Sequence, residues 1–383
     1  MQSEFRNNKT ITKGVSMRNK ITANLLRGVA ALVVALPLHG NAADIAKPSL
    51  LVPVTVAASS GGIAGQRFVG LNVCRPTIGE GRLSAAVVSG ATQFTADADA
   101  IFSGIFPSTL GTSDNSYIIE FTSGAYVGLI KKISSISGRT ATVVGTLPAL
   151  DDKTTFLLRK DWTLGSLFGT TASEVAAKGL TAGASGGSAT RIGVLNASGV
   201  IAYYFYKNST SQGGVGWRSA ATRTDGVDRQ HIQVGTGSGF AVQNGNISAL
   251  NFNLAGEARP TRNIVSLDST FTFVANPQNR SVTIADLLGS TIVGGKLKSD
   301  FVGASSSGSA DEVTVIDGTV SRKYFFNTRV VSGAALNKWR LSVLPLGADQ
   351  NTVTIGEGDA MLVKRAGLVT KFVGLETSAE ASE

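Results

Sequence analysis

The last two thirds of this chain run through one order of short motifs twice, and that echo limits the fold more than any other feature. Thr163-Leu-Gly-Ser-Leu-Phe-Gly169 returns as Thr283-Ile-Ala-Asp-Leu-Leu-Gly289, Tyr204-Phe-Tyr206 as Tyr324-Phe-Phe326, and Trp217-Arg218 as Trp339-Arg340. Ile232, Val234, Gly235, Gly237, Phe240 and Val242 return in order as Val353, Ile355, Gly356, Gly358, Met361 and Val363. The offset stays between 120 and 122 residues, so insertions and deletions fall only in loops. Two copies of one structural plan are therefore expected.

The plan itself reads as β. Apolar residues come in short runs separated by turn formers, glycine is frequent at 45 residues, and no long helical period is present. Leu250, Phe252 and Leu254 alternate with Asn251 and Asn253, which predicts a strand with one buried and one wet face. Tyr117, Ile119 and Phe121 alternate in the same way, and the turn Ser137-Gly138 leads into Thr140-Ala-Thr-Val-Val144, so the first region reads as a meander. Thr163 and Thr283 each precede an apolar turn stopped by glycine, predicting a short capped helix at the head of each copy. The expected architecture is all-β: an N-terminal meander or barrel-like domain over 44–160, then tandem sandwich or small-barrel modules over 161–262 and 263–375. Residues 376–383 form an acidic tail.

Arg18, Lys20 and Arg27 precede the apolar run Gly28–Leu38 and the small residues Gly40-Asn-Ala-Ala43, the pattern of an export signal peptide cut at Ala42 or Ala43. Eleven apolar residues are too few for a bilayer span, which needs about 20. With Met17 as the start the leader has ordinary length, leaving Met1 to Ser16 as an extension. Residues 1–43 hold six of the 35 Lys and Arg and one of the 26 Asp and Glu, so the remainder carries 29 basic and 25 acidic side chains, a net of +4. Its basic residues are scattered, which argues against nucleic acid as a partner. It holds one cysteine, Cys74, and one histidine, His231, so neither an internal disulfide nor a Cys/His metal cluster can be assembled. No cofactor is expected.

Aromatic residues supply the candidate ligand contacts: Tyr203, Tyr204 and Tyr206 on one strand, and Trp217 and Trp339 beside arginines. Rings on an outer strand face make a platform for a sugar or a partner. Buried, the same residues close the core of each copy, and their recurrence favours that role. Gly183-Ala-Ser185-Gly-Gly187 fits the G-x-S-x-G form of a hydrolase nucleophile, with Asp225 or Asp228 and then His231 following in chain order. The string lies in a Gly/Ser loop where a strand-to-helix turn is required, and Thr352 stands at the place of His231 in the second copy, so catalysis is not expected. The acid pairs, Asp151-Asp152 and Asp311-Glu312 among them, sit in polar stretches and read as loop caps.

Tyr117-Ile-Ile-Glu-Phe-Thr-Ser-Gly-Ala-Tyr-Val-Gly128, Asp161-Trp-Thr-Leu-Gly-Ser-Leu-Phe168, Gly235-Thr-Gly-Ser-Gly-Phe-Ala-Val242 and Ala275-Asn-Pro277 together resemble an uncharacterised family of exported paralogues of Verrucomicrobia-type bacteria. The resemblance implies a secreted or envelope-associated protein and brings no catalytic residues. The expected function is a non-enzymatic envelope or extracellular protein for surface assembly or adhesion, with itself or other envelope proteins as partners. Carbohydrate binding, with glycans as partners, is the alternative.

Overall fold

The computed structural model describes residues 49–375 apart from 61, 98–101, 103–115, 197, 236–237, 259–262, 268–269, 279, 293–296, 298–300, 318–319 and 368–370. The expected leader, its cleavage site and the acidic tail lie outside the described residues. The chain begins with β1 (Ser49–Val56), β2 (Gly65–Gly70) and β3 (Val73–Cys74). A meander follows: β4 (Thr77–Arg82), β5 (Gln93–Thr95), β6 (Tyr117–Phe121), β7 (Ile130–Ser137), β8 (Thr140–Val143) and β9 (Thr155–Lys160). Next come α1 (Leu164–Phe168), α2 (Ala172–Ala177), β10 (Arg191–Leu195), β11 (Ile201–Lys207), β12 (Gly216–Ser219), β13 (Gly239–Asn244) and β14 (Leu250–Ala258). The last part holds β15 (Asn263–Leu267), β16 (Phe271–Ala275), β17 (Val282–Thr283), α3 (Ile284–Leu288), β18 (Glu312–Asp317) and β19 (Val320–Asn327). It ends with β20 (Val330–Val331), β21 (Ala334–Ala335), β22 (Lys338–Leu341), β23 (Thr354–Ile355), β24 (Ala360–Lys364) and β25 (Lys371–Leu375). The fold is all-β, with antiparallel pairing throughout the named strands.

The first module is a two-layer sandwich. One layer is the five-stranded sheet β12-β11-β10-β13-β2, the other the three-stranded sheet β1-β14-β3. Val52, Val54 and Val56 on β1 and Leu250, Phe252 and Leu254 on β14 all point inward, as their period of two requires, and pack with Ile192, Phe240 and Trp217. Helix α1 plugs one end of this core with Leu164, Leu167 and Phe168. Thr163 caps it, its hydroxyl accepting from Ser166 N while Ser166 Oγ accepts from Thr163 N. Gly169 ends it at φ 105, where a Cβ would lie 2.6 Å from Glu174 Cβ, so only glycine turns the chain there into α2.

In the second module β22-β19-β18-β24-β16 run in the same order as β12-β11-β10-β13-β2, and β15-β25 take the place of β1-β14. The echoed motifs fall on matching elements with matching bonds. Trp217 Nε1 donates to Gly169 O and Trp339 Nε1 to Gly289 O, each at 2.8 Å. Leu164 N donates to Ile232 O at 2.9 Å and Ile284 N to Val353 O at 2.7 Å, docking α1 and α3 in the same way. The Tyr206 ring meets Trp217 edge-on at 5.9 Å, as the Phe326 ring meets Trp339 at 5.7 Å.

Residues 77–160 form a third body. Its six strands run β4-β9-β6-β7-β8-β5. The two ends join through the Leu83–Ala96 bridge and the bonds Ser84 N to Thr95 O and Asp97 N to Arg82 O. The sheet is therefore closed into a small barrel filled by Phe94, Phe121, Phe156 and Leu158.

This corrects the expected domain boundary. The stretch 44–160 is not one N-terminal domain, because β1 pairs with β14 and β2 with β13, which places residues 49–74 in the first sandwich. The barrel interrupts that sandwich between β3 and Trp162. Local patterning marks strands without marking partners, and these partners lie about 200 residues apart. Helix α2 is a further element, beyond the one short helix expected at the head of this copy. Its signal is Thr171 with Glu174 three residues on, a capping box formed in full.

Candidate functional site

Of the aromatic candidates, Tyr206, Trp217 and Trp339 are core residues, and Tyr203 and Tyr204 are half-buried. Trp217 is 1% exposed and Trp339 fully buried, and the indole N–H of each is spent on a backbone carbonyl. Tyr206 is buried and donates its hydroxyl to Thr170 O at 3.0 Å. Tyr203 and Tyr204 are half-buried, packing against two different clusters on opposite faces of β11. Burial pushes all three tyrosine pKa values up. The five rings therefore form no outward row. The arginine beside each Trp serves loop carbonyls, Arg218 those of Gly213 and Val215, and Arg340 that of Gly347.

The G-x-S-x-G string does not assemble as a triad. Ser185 and Ser188 bond one another in an exposed turn. Asp225 accepts from Thr222 and Arg229, Asp228 accepts from Gln230 N, and the ring of His231 lies near Gln230. Among the described residues no group of three His, Cys, Asp or Glu could hold a metal ion. No helix among them is long and apolar enough to cross a membrane.

Two surface features remain. The first is a cavity of about 650 Å³ where barrel and both sandwiches meet, a size typical of small-molecule sites. β6 and β7 supply Ile118, Ile130 and Lys132, the turn before α1 supplies Asp161, and β16 supplies Phe271 and Phe273. The barrel is pinned here by Lys131 Nζ donating to Ser266 Oγ at 2.8 Å, by the parallel Leu129–Ile264 bridge and by Gln233 Nε2 donating to Ser116 Oγ. Burial pushes the Lys132 ammonium pKa down, and the charge of Asp161 partly offsets this. Asp161 itself is 3% exposed and accepts from Trp162 N at 2.8 Å. Chain order separates these parts by up to about 150 residues, so no local motif marks them.

The second feature is apolar. In the second module the loop after β22 exposes Val343 by 82% and Leu344 and Leu346 by 58% each, and the hairpin β20–β21 exposes Val330 by 62%. Asn327 Nδ2 donates to Pro345 O at 2.8 Å, holding the loop beside the end of β19 from which the hairpin springs. In the first module the corresponding stretches are Asn208-Ser-Thr-Ser-Gln-Gly-Gly-Val215 and Ala220-Ala-Thr-Arg-Thr-Asp225, polar by comparison.

Comparison with protein-family models, with curated proteins and with solved structures returns no match.

Proposed function

We propose that this is an exported, non-catalytic β protein of the cell envelope or exterior that associates with further copies of itself, serving surface assembly or adhesion. The apolar face formed by Val330, Val343, Leu344 and Leu346 carries this reading. Apolar side chains this exposed, carried on a hairpin and a loop that both adjoin the end of β19, are retained where a partner covers them. β22 is the outer strand of its sheet, so the face lies at a sheet edge, where strands of neighbouring copies can meet. A second copy is the occupant favoured because the chain already joins sheet to sheet internally, through Phe68 and Phe273. Duplication of one module belongs to this reading, supported by the common strand order and the paired tryptophan bonds. The secreted location rests on the leader pattern.

Light scattering on the chain without residues 1–43 tests it. Wild type forms dimers or larger species as concentration rises, and the variant V343S/L344S/L346S stays monomeric with an unchanged circular dichroism spectrum. A wild type that remains monomeric at the highest concentration reached overturns the reading.

A further inference from the structure

The cavity between barrel and sandwiches sits where the likeness of the two modules breaks down. On one side of their junction Arg67 on β2 forms an ion pair with Asp359 at 2.5 Å and also donates to the backbone oxygens of Thr55 and Glu357, clamping the first sheet to the turn before β24. Strand register places Thr272 at the position of Arg67, since Arg67 pairs with Val242 and Thr272 with Val363. Ser238, just before β13, holds the place of Asp359, just before β24. Thr272 and Ser238 both line the cavity. The ion-paired clamp of one side is thus replaced on the other by two short hydroxyl side chains and an opening, against which the barrel presents β7.

That opening has a definite chemistry. Ile118, Ile130, Phe271 and Phe273 make its walls apolar, and among the described residues the charged side chains lining it are Lys131, Lys132 and Asp161. Lys131 is buried and engaged with Ser266, and Asp161 accepts from its own neighbour's backbone. No hydrogen bond or ion pair engages the Lys132 amine among the described residues, although it faces the field of Asp161. Two lysines against one carboxylate leave the described lining net positive. We propose that the cavity binds an organic monoanion with an apolar body, an alkyl or aryl carboxylate or sulfonate, whose charged group is taken by Lys132 and whose body lies against Ile118, Ile130 and Phe271. Such a ligand adds counter-charge beside the half-buried ammonium, whose burial Asp161 offsets only in part, and covers apolar wall at the same time.

Fluorescence titration of the whole chain with anilinonaphthalene sulfonate, and displacement by octanoate, tests this. Wild type binds the dye saturably at one site and octanoate displaces it. Lys132→Met weakens the dye by about tenfold to a hundredfold, the loss of one charge-assisted bond, and leaves binding of the uncharged phenylnaphthylamine unchanged. Lys132→Arg keeps the dye, and Val144→Trp, at the cavity wall, excludes both probes. The V343S/L344S/L346S variant binds as wild type, which separates this site from the assembly face. Absence of a saturable site, equal dye binding in Lys132→Met, or loss of binding in the V343S/L344S/L346S variant overturns the proposal. Should Lys132→Met fail to fold, the Val144→Trp result decides: undiminished dye binding there is equally fatal.

Discussion

The ring of Phe68 meets the ring of Phe273 edge to face, with 5.2 Å between centroids and 71° between planes. The two residues hold the same place in their sheets, Phe68 opposite Ala241 and Phe273 opposite Leu362. Around them, other like positions touch. A Cβ on Gly70 would lie 2.9 Å from that of Ala275, and one on Gly239 2.8 Å from that of Ala360. The sandwiches are joined through corresponding surfaces, in the manner of a two-fold dimer built within one chain. Small residues at these points allow the backbones to come this close, and valine at either glycine would force the sheets apart.

Phe68→Ala and Phe273→Ala should each cost about 3–5 kcal/mol of stability, the usual range for a buried Phe. The double variant should fall short of the sum by about 0.5–1.5 kcal/mol, the share belonging to the ring pair. Urea unfolding of the four proteins measures this, and strict additivity would deny the contact its energetic role.

Trp217→Phe and Trp339→Phe keep most of the ring volume and remove one N–H donor each, taking that donor from the part-buried carbonyl of Gly169 or the buried one of Gly289. Each should cost about 1–3 kcal/mol. The matched geometry predicts similar losses at the two sites, read from urea midpoints.

Arg159 is fully buried, donating to Glu120 at 3.3 Å, to Glu257 at 2.5 Å and to Arg75 O at 2.7 Å, and it fastens the barrel to β14. Arg159→Ala should destabilise by about 3–5 kcal/mol, because Glu120 and Glu257 both lose the buried cation that they share. Replacing Arg159 and Glu120 together by Met should recover a large part of that loss. A double variant as unstable as Arg159→Ala would show that the ion pair is not the source of the cost.

The Lys132 ammonium is disfavoured in the folded chain, by burial first, with Asp161 opposing. The folded chain therefore gives up this proton at lower pH than the unfolded chain. The penalty is fully present below the folded pKa and fades as pH rises from there toward the ordinary lysine value of 10.5, so stability from this group increases across that alkaline window. Lys131 and Asp161 face the same cavity and are retained in Lys132→Met. Lys132→Met should be the more stable protein at neutral pH, with an advantage that shrinks as pH rises. Urea midpoints through the range check it.

Residue order alone disclosed the all-β class, the helix caps at Thr163 and Thr283, and the inward face of Leu250, Phe252 and Leu254, because each depends on neighbours a few positions apart. The recurrence of Trp217 as Trp339 likewise pointed to a core role, which burial of both rings bears out. Tertiary structure alone decided that β1 and β2 complete the first sandwich across an intervening barrel, that Phe68 meets Phe273, and that Lys132, Asp161 and Phe271 share one cavity. These relations join segments up to about 200 residues apart, and a strand's alternation states which of its faces is apolar without naming the surface that will cover it. Pairing and burial are settled only when whole sheets compete for partners, and there this chain acquires its clamp on one side of the module junction and its opening on the other.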